Sequence, residues 1–264
     1  MKKQPIGVFD SGIGGTSILR EIVKLLPNED FIYLADSANA PYGQKSPETI
    51  LKLCKKNVEF LLKKDCKLIV VACNTATTNA IAVLRENYNV PFIGIEPALK
   101  PAALKTKTNT IGILATKGTL NSKLFSEKVD LYTSNIKIIE VVGKGLVECL
   151  EAGDFDSDYL VSLIKSYITP MLKEKIDYLV LGCSHYPYLI PIISTIVSST
   201  VQIIDSGEAV AKQTKHILSK YKLLYGGIDY GHLAFYTNID KRVICKICKK
   251  YFSHKPVKVV NFEF

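Results

Sequence analysis

Residues 70–78 read VVACNTATT. The apolar run at 68–72 has the form of a strand buried on both faces, and it ends on a thiol, an amide and a hydroxyl: Cys73, Asn74 and Thr75. Residues 176–185, IDYLVLGCSH, repeat that form and close on Cys183, Ser184 and His185. The likeness reaches outward. PIGVFD at 5–10 is answered by TIGILA at 110–115. Hydroxyls follow each, Ser11 and Thr16 in the first, Thr116 and Thr119 in the second. Beyond the cysteines come PFIGIEP at 91–97 and VQIIDSG at 201–207.

Helix-like stretches, such as 17–26 and 49–62, separate the strand-like runs. That alternation predicts parallel sheets covered by helices. The fold expected is α/β, with two similar lobes related by a pseudo-twofold duplication, each a mostly parallel sheet under helices. After residue 208 a helix-like stretch leads to HLAFYTN and VKVVNF, which are expected to pack back on the first half. One lobe is therefore expected to hold residues 1–97 with 207–264, and the other 98–206. The hinge is expected near PALKP at 97–101, and if the halves pack face to face the active site is expected in the cleft between the lobes.

Composition sets the class. The chain has 264 residues, 47% hydrophobic and 22% charged, as in a soluble globular protein. No apolar run reaches the roughly 18 residues of a membrane helix. The opening MKKQPIGVFDSG lacks the apolar stretch of a signal peptide, so a cytoplasmic protein is expected, with no membrane partner. The net charge is +9, but all basic residues except Arg20, Arg85 and Arg242 are lysine. Base reading favours arginine, so a solvated lysine surface is expected rather than a nucleic-acid partner. The seven cysteines are odd in number and scattered, which argues against a disulfide framework. Cys54, Cys66 and Cys149 are expected to be buried.

Ligands bind beyond the carboxyl ends of parallel strands, where Cys73 and Cys183 stand. Groups that can cap a helix follow each thiol, and a helix N-terminus favours a thiolate. If the lobes face each other, the thiols flank one substrate carbon. One thiolate removes a proton and the opposite thiol donates another, which inverts the centre. Asp10 and His185 can each hold or move a proton for the nearest thiol. Gly12, Gly14 and Gly15 let backbone approach a ligand, with N–H groups for a carboxylate. Asn74, Thr75, Ser184, Thr116 and Thr119 supply uncharged donors.

VFDSGIGG at 8–15, APYG at 40–43, ACNTA at 72–76 and GCSHYP at 182–187 together resemble the glutamate racemases of the aspartate/glutamate racemase group. The resemblance covers nearly the whole chain, with the motifs in the right order. It implies cofactor-independent interconversion of L- and D-glutamate, supplying D-glutamate for peptidoglycan. Cys73 is then the base toward D-glutamate and Cys183 the base toward L-glutamate, with Asp10 and His185 as their partners. Ser11, Asn74, Thr75 and Ser184 hold the amino-acid head. Backbone around Pro41, Tyr42 and Gly43 takes the side-chain carboxylate. Glu151, in ECLEAGD, resembles a glutamate that assists near the second cysteine. No cofactor and no metal are expected, the substrate is glutamate, and a homodimer is expected. The family usually has threonine where Ser184 stands, so a methyl is lost there and the hydroxyl kept.

Other readings compete. Aspartate and hydantoin racemases and maleate isomerases are neighbours within the same superfamily. A two-lobed anion-binding protein of the periplasmic type fits the duplication but not the twin cysteines. A zinc hydrolase would use Cys73, Cys183 and His185 as ligands. A pyridoxal-phosphate racemase needs a Schiff-base lysine and a phosphate cup, and no lysine stands out. Cys245-x-x-Cys248, near His232 and His254, has half the look of a zinc site but lacks a second such pair. The basic segment 242–258 reads as a solvated face.

Overall fold

Strand order repeats between two sheets of unequal size in a computed structural model, which describes residues 3–132 and 135–262. The first half runs β1 (Ile6–Asp10), α1 (Thr16–Leu25), β2 (Phe31–Ala35), α2 (Pro47–Lys63), β3 (Leu68–Val71), α3 (Asn74–Asn87) and β4 (Phe92–Gly94). The middle runs α4 (Leu99–Ala103), β5 (Thr110–Ala115), α5 (Lys117–Leu120), α6 (Lys123–Tyr132), β6 (Lys137–Val142) and α7 (Leu146–Glu151). It continues with α8 (Asp158–Lys173), β7 (Tyr178–Gly182), α9 (Ile190–Ile196) and β8 (Gln202–Ile204). The last quarter holds α10 (Gly207–Lys220), β9 (Leu233–Thr237), α11 (Arg242–Tyr251) and β10 (Val257–Asn261).

The sheets are β10-β9-β2-β1-β3-β4 and β6-β5-β7-β8, and every pairing in both is parallel. The order 2-1-3-4 of the first half recurs as 6-5-7-8 in the second. The C-terminal strands extend only the first sheet, with β9 beside β2 and β10 beside β9.

Parallel sheets need cover on both faces, and the central strands show it. All five residues of β1, IGVFD, are buried. Ile6 and Val8 enter one apolar layer with Ile18, Leu19 and Ile22 of α1, while Phe9 enters the opposite layer with Val58 and Leu61 of α2. The second sheet is likewise sandwiched between two layers, one around Ile164 and Ile168 of α8, the other around Ala102 and Phe125. Local signals start the helices. Ser46 caps α2 by accepting from the Thr49 N–H at 3.3 Å, with Pro47 at the first position. Ser157 caps α8 in the same way through Leu160.

Helix α11 covers the large sheet, burying Ile244, Ile247 and Cys248 among Phe235 and Phe252. The cysteine pair therefore splits, with Cys245 exposed and Cys248 in the core. Cys54 and Cys66 are buried, whereas Cys149 is only half-buried, at the solvent side of a short helix, and departs from expectation. The two chain crossings between the halves run side by side, joined by the Ser206 hydroxyl donating to the Glu96 carbonyl. Among the described residues, no helix is long and apolar enough to cross a membrane.

Candidate active site

A narrow cavity with a free volume of about 10 Å³ lies where the carboxyl ends of the two sets of strands face each other. Ser11, Pro41, Tyr42, Gly43, Cys73, Asn74 and Thr75 line it from one side. Thr116, Val147, Cys183, Ser184 and His185 line it from the other.

Cys73 follows β3 and is itself the cap of α3: its sulfur accepts from the Ala76 N–H at 3.4 Å. Asn74 and Thr75 are the first helical residues rather than the cap. The thiol donates to the Ser11 hydroxyl at 3.7 Å, and Ser11 in turn donates to Asp10 Oδ1 at 3.5 Å. The hydrogen-bonding neighbour of Cys73 is thus Ser11, with Asp10 one step behind. Burial and the Asp10 charge push the Cys73 thiol well above its ordinary value, and the Ala76 and Ser11 contacts pull back only part of that. Asp10 is fully buried, which raises its carboxyl to about 6 against the charge of His185 and the hydrogen bonds of Ser184 and Gly12.

Cys183 follows β7, and here the repeat breaks. Pro187 lies inside a 3-10 turn, Tyr186–Leu189, and α9 starts only at Ile190, with Pro191 in its first turn. No side chain caps that turn, so Cys183 lacks the helix N-terminus expected for it. A histidine stands beside it instead: His185 Nδ1 lies 3.8 Å from Cys183 Sγ. The other ring nitrogen, Nε2, lies 2.5 Å from Glu151 Oε1. Burial disfavours charge on His185, but the hydrogen bonds and negative charge of Cys183 and Glu151 outweigh it and raise the imidazole well above its ordinary value.

The glycine-rich turn serves these side chains rather than a ligand. A Cβ at Gly12 would sit inside the Glu151 carboxylate, and one at Gly14 inside the His185 ring. The Gly12 N–H donates to Asp10 at 2.8 Å and the Ile13 N–H to Glu151 at 2.6 Å. The Tyr33 hydroxyl holds the turn from below, donating to the Gly12 carbonyl at 2.7 Å.

The loop carrying Pro41, Tyr42 and Gly43 contains a cis Ala40–Pro41 bond and is anchored by buried Asp36. Asp36 accepts from the Tyr42 hydroxyl at 2.5 Å, Asn39 at 2.8 Å and Asn238 at 2.6 Å. Asn57 donates to the same Tyr42 oxygen at 3.0 Å. Sequence reasoning missed Asp36, although it directly follows β2 just as Asp10 closes the neighbouring β1. Asn57 and Asn238 carry no such signal.

Asn74 is 2% exposed, and among the described residues neither its amide oxygen nor its nitrogen has a partner. A buried amide left so costs on the order of 1–3 kcal/mol, which marks it as built for a ligand. Thr75, Thr116 and Thr119 form a hydroxyl cluster across the cleft, with Thr75–Thr116 at 2.8 Å and Thr75–Thr119 at 3.3 Å. Among the described residues, no three of His, Cys, Asp or Glu converge as a metal site.

The family model described as Asp/Glu/Hydantoin racemase matches residues 6–214, which carry every cavity-lining residue. The chain belongs to the Asp/Glu/hydantoin racemase family. A glutamate racemase of Ectopseudomonas mendocina is 48% identical over 221 residues, covering 83% of this chain and 84% of the relative. The solved structure of a Bacillus anthracis glutamate racemase superposes with a TM-score of 0.87 at 30% identity, covering 100% of this chain and 99% of that one. A Francisella tularensis glutamate racemase, solved in complex with D-glutamate, gives 0.84 at 29% identity, covering 100% and 98%. The fold is thus that of a racemase of this family, two parallel sheets under helices. The chain's own cleft brings together the catalytic and substrate-holding candidates read from the sequence, but not the glycines at 12, 14 and 15 or the Cys245–Cys248 pair. Cys73, Cys183, Ser11, Asn74, Thr75, Thr116, Ser184, His185 and the 41–43 loop line the cavity, and Asp10, Thr119 and Glu151 stand directly behind them.

Proposed function

We propose that this racemase interconverts L- and D-glutamate without a cofactor, through two opposed thiols. One observation carries the reading. Two cysteines at equivalent strand ends of a duplicated sheet line one cavity, together with a buried amide that has no partner among the described residues. In the L to D direction, Cys183 as thiolate takes the Cα proton and Cys73 as thiol delivers one to the opposite face. The reaction leaves a thiol at Cys183 and a thiolate at Cys73, and the D to L direction is the exact reversal. His185 receives and returns the proton of Cys183. Ser11 and Asp10 relay that of Cys73. Desolvation makes a thiolate at Cys73 a strong base once formed. Asn74, Ser11, Thr75 and Ser184 hold the α-carboxylate and amino group, and backbone at 41–43 holds the distal carboxylate. The narrow cavity leaves too little room for glutamate, so substrate enters when the halves part.

The lobes on this reading are residues 1–97 with 207–264, and 98–206. A cytoplasmic role supplying D-glutamate to peptidoglycan suits a chain with seven free thiols. A homodimer is part of the same proposal.

The test is Cα exchange in D₂O followed by NMR, with metal-free wild type and the Cys73→Ala and Cys183→Ala variants. Deuterated D-glutamate from L-glutamate with wild type, and no racemisation with either variant, is the expected result. Exchange of aspartate but not glutamate would overturn the substrate. Racemisation surviving in either alanine variant would overturn the two-thiol mechanism.

A further inference from the structure

The Glu151 carboxylate ends α7, in the second half of the chain, yet two of its three hydrogen bonds come from the first half. Oε1 accepts from the Ile13 N–H at 2.6 Å as well as meeting His185 Nε2. Oε2 accepts from the Ser37 hydroxyl at 2.8 Å. Ser37 opens the turn after β2 and is 9% exposed. Gly12 leaves the space in which the carboxylate sits. Glu151 is therefore clasped by the opposite lobe, and its hold on His185 depends on that clasp.

We infer that Ser37 is a positioning residue for proton transfer at Cys183, completing the Cys183–His185–Glu151 relay only when the cleft is closed. The inference rests on the two-thiol reading above. With Glu151 fixed by Ser37 and Ile13, the Nε2–H of His185 has one acceptor, and Nδ1 faces the sulfur as the proton-exchanging nitrogen. With the lobes apart, Glu151 loses two of its donors, the imidazole loses its orientation, and the relay is idle. Closure around substrate thus arms the thiol as it expels water.

Ser37 could instead serve its own turn and nothing else, and a racemase offers a readout that separates the two roles. Its equilibrium constant is one, so any variant lowers kcat/KM equally in both directions. The α-deuterium isotope effect is not bound by that equality. When transfer at Cys183 slows, abstraction from L-glutamate becomes more rate-limiting and abstraction from D-glutamate less so. The Ser37→Ala variant is expected to lose about 10- to 100-fold in kcat/KM, the scale of one hydrogen bond to a charged group. The isotope effect should rise with α-deuterated L-glutamate and fall with the D-isomer, and Ser37→Thr should restore both. Isotope effects that stay unchanged, or move together, overturn the inference.

A second readout needs no turnover. The chain has four histidines, so the His185 ring is assignable by ¹⁵N NMR. Its titration should move to lower pH in Ser37→Ala and return in Ser37→Thr. An unmoved His185 titration overturns the role of Ser37 whatever the substrate proves to be. A wild type that racemises no glutamate sinks the functional reading and leaves this measurement to decide the clasp.

Discussion

The Ser184 hydroxyl donates to Asp10 Oδ2 at 2.7 Å, although Asp10 ends β1 in one sheet and Ser184 follows β7 in the other. Asp10 thus stands buried between the halves, held by a serine that neighbours one thiol while its own charge acts on the other.

That position has a stability cost. The folded carboxyl keeps its proton to about pH 6, whereas the free carboxyl keeps it only to about 3.8. Between those values the native state binds more protons, so stability falls as pH rises through the window. The deficit is complete above pH 6 and amounts to at most about 3 kcal/mol. Asp10→Asn is expected to melt above wild type at pH 8 and close to it below pH 4. Its kcat should fall by about 10²- to 10⁴-fold. Thermal melts at the two pH values check the first claim, and no gain at pH 8 would contradict it.

Glycine substitutions separate the two uses of the turn at 11–15. In Gly14→Ala the new methyl meets the His185 ring, and in Gly12→Ala it meets Glu151. Either overpacking is expected to cost about 1–3 kcal/mol. Both should disturb the Cys183 relay, so the α-deuterium effect with L-glutamate should rise as it does for Ser37→Ala. A pure ligand-binding turn would instead raise KM and leave the isotope effect alone.

Much of this arrangement was legible beforehand because it is written locally. Apolar runs, the duplicated order and the paired strand-end cysteines all lie in short segments, and the observed strands fall in or beside those runs except β6, whose half-exposed KIIEVV was not read as one. The clasp was not legible. Ile13 and Ser37 meet Glu151 only through the fold, and glycines that admit a side chain look like glycines that admit a ligand. The cap of α3 was misread because a thiol is an uncommon cap beside Asn and Thr. The missing helix after Cys183 follows from prolines that start a 3-10 turn as readily as an α-helix.

Asp36 anchors the loop of Pro41, Tyr42 and Gly43, which on the proposed reading holds the distal carboxylate. Asp36→Ala leaves the Tyr42 hydroxyl and two asparagine amides without their shared acceptor. Buried donors stranded in this way cost about 1–3 kcal/mol. The thiols are untouched, so the KM for glutamate is expected to rise more than kcat falls. Steady-state kinetics decide this. A fall in kcat at constant KM would place Asp36 in the chemistry rather than in binding.

Far from the cavity, Lys67 Nζ lies 2.6 Å from Glu29 Oε2, with side chains only 6% and 3% exposed. Lys67 stands at the start of β3 and Glu29 just before β2, where Glu29 also accepts from the Tyr225 N–H at 2.8 Å. The pair thus ties the segment between α10 and β9 to the first sheet. Lys67→Met strands a buried carboxylate and is expected to lose about 3–5 kcal/mol. Adding Glu29→Gln removes the charge while keeping an oxygen for Tyr225, so the double variant should recover at least about half of that loss. Chemical denaturation of the two variants measures both numbers. The kcat at 25 °C should match wild type in each, since neither residue touches the relay. A double variant no more stable than Lys67→Met would mean that the pair contributes packing rather than charge balance.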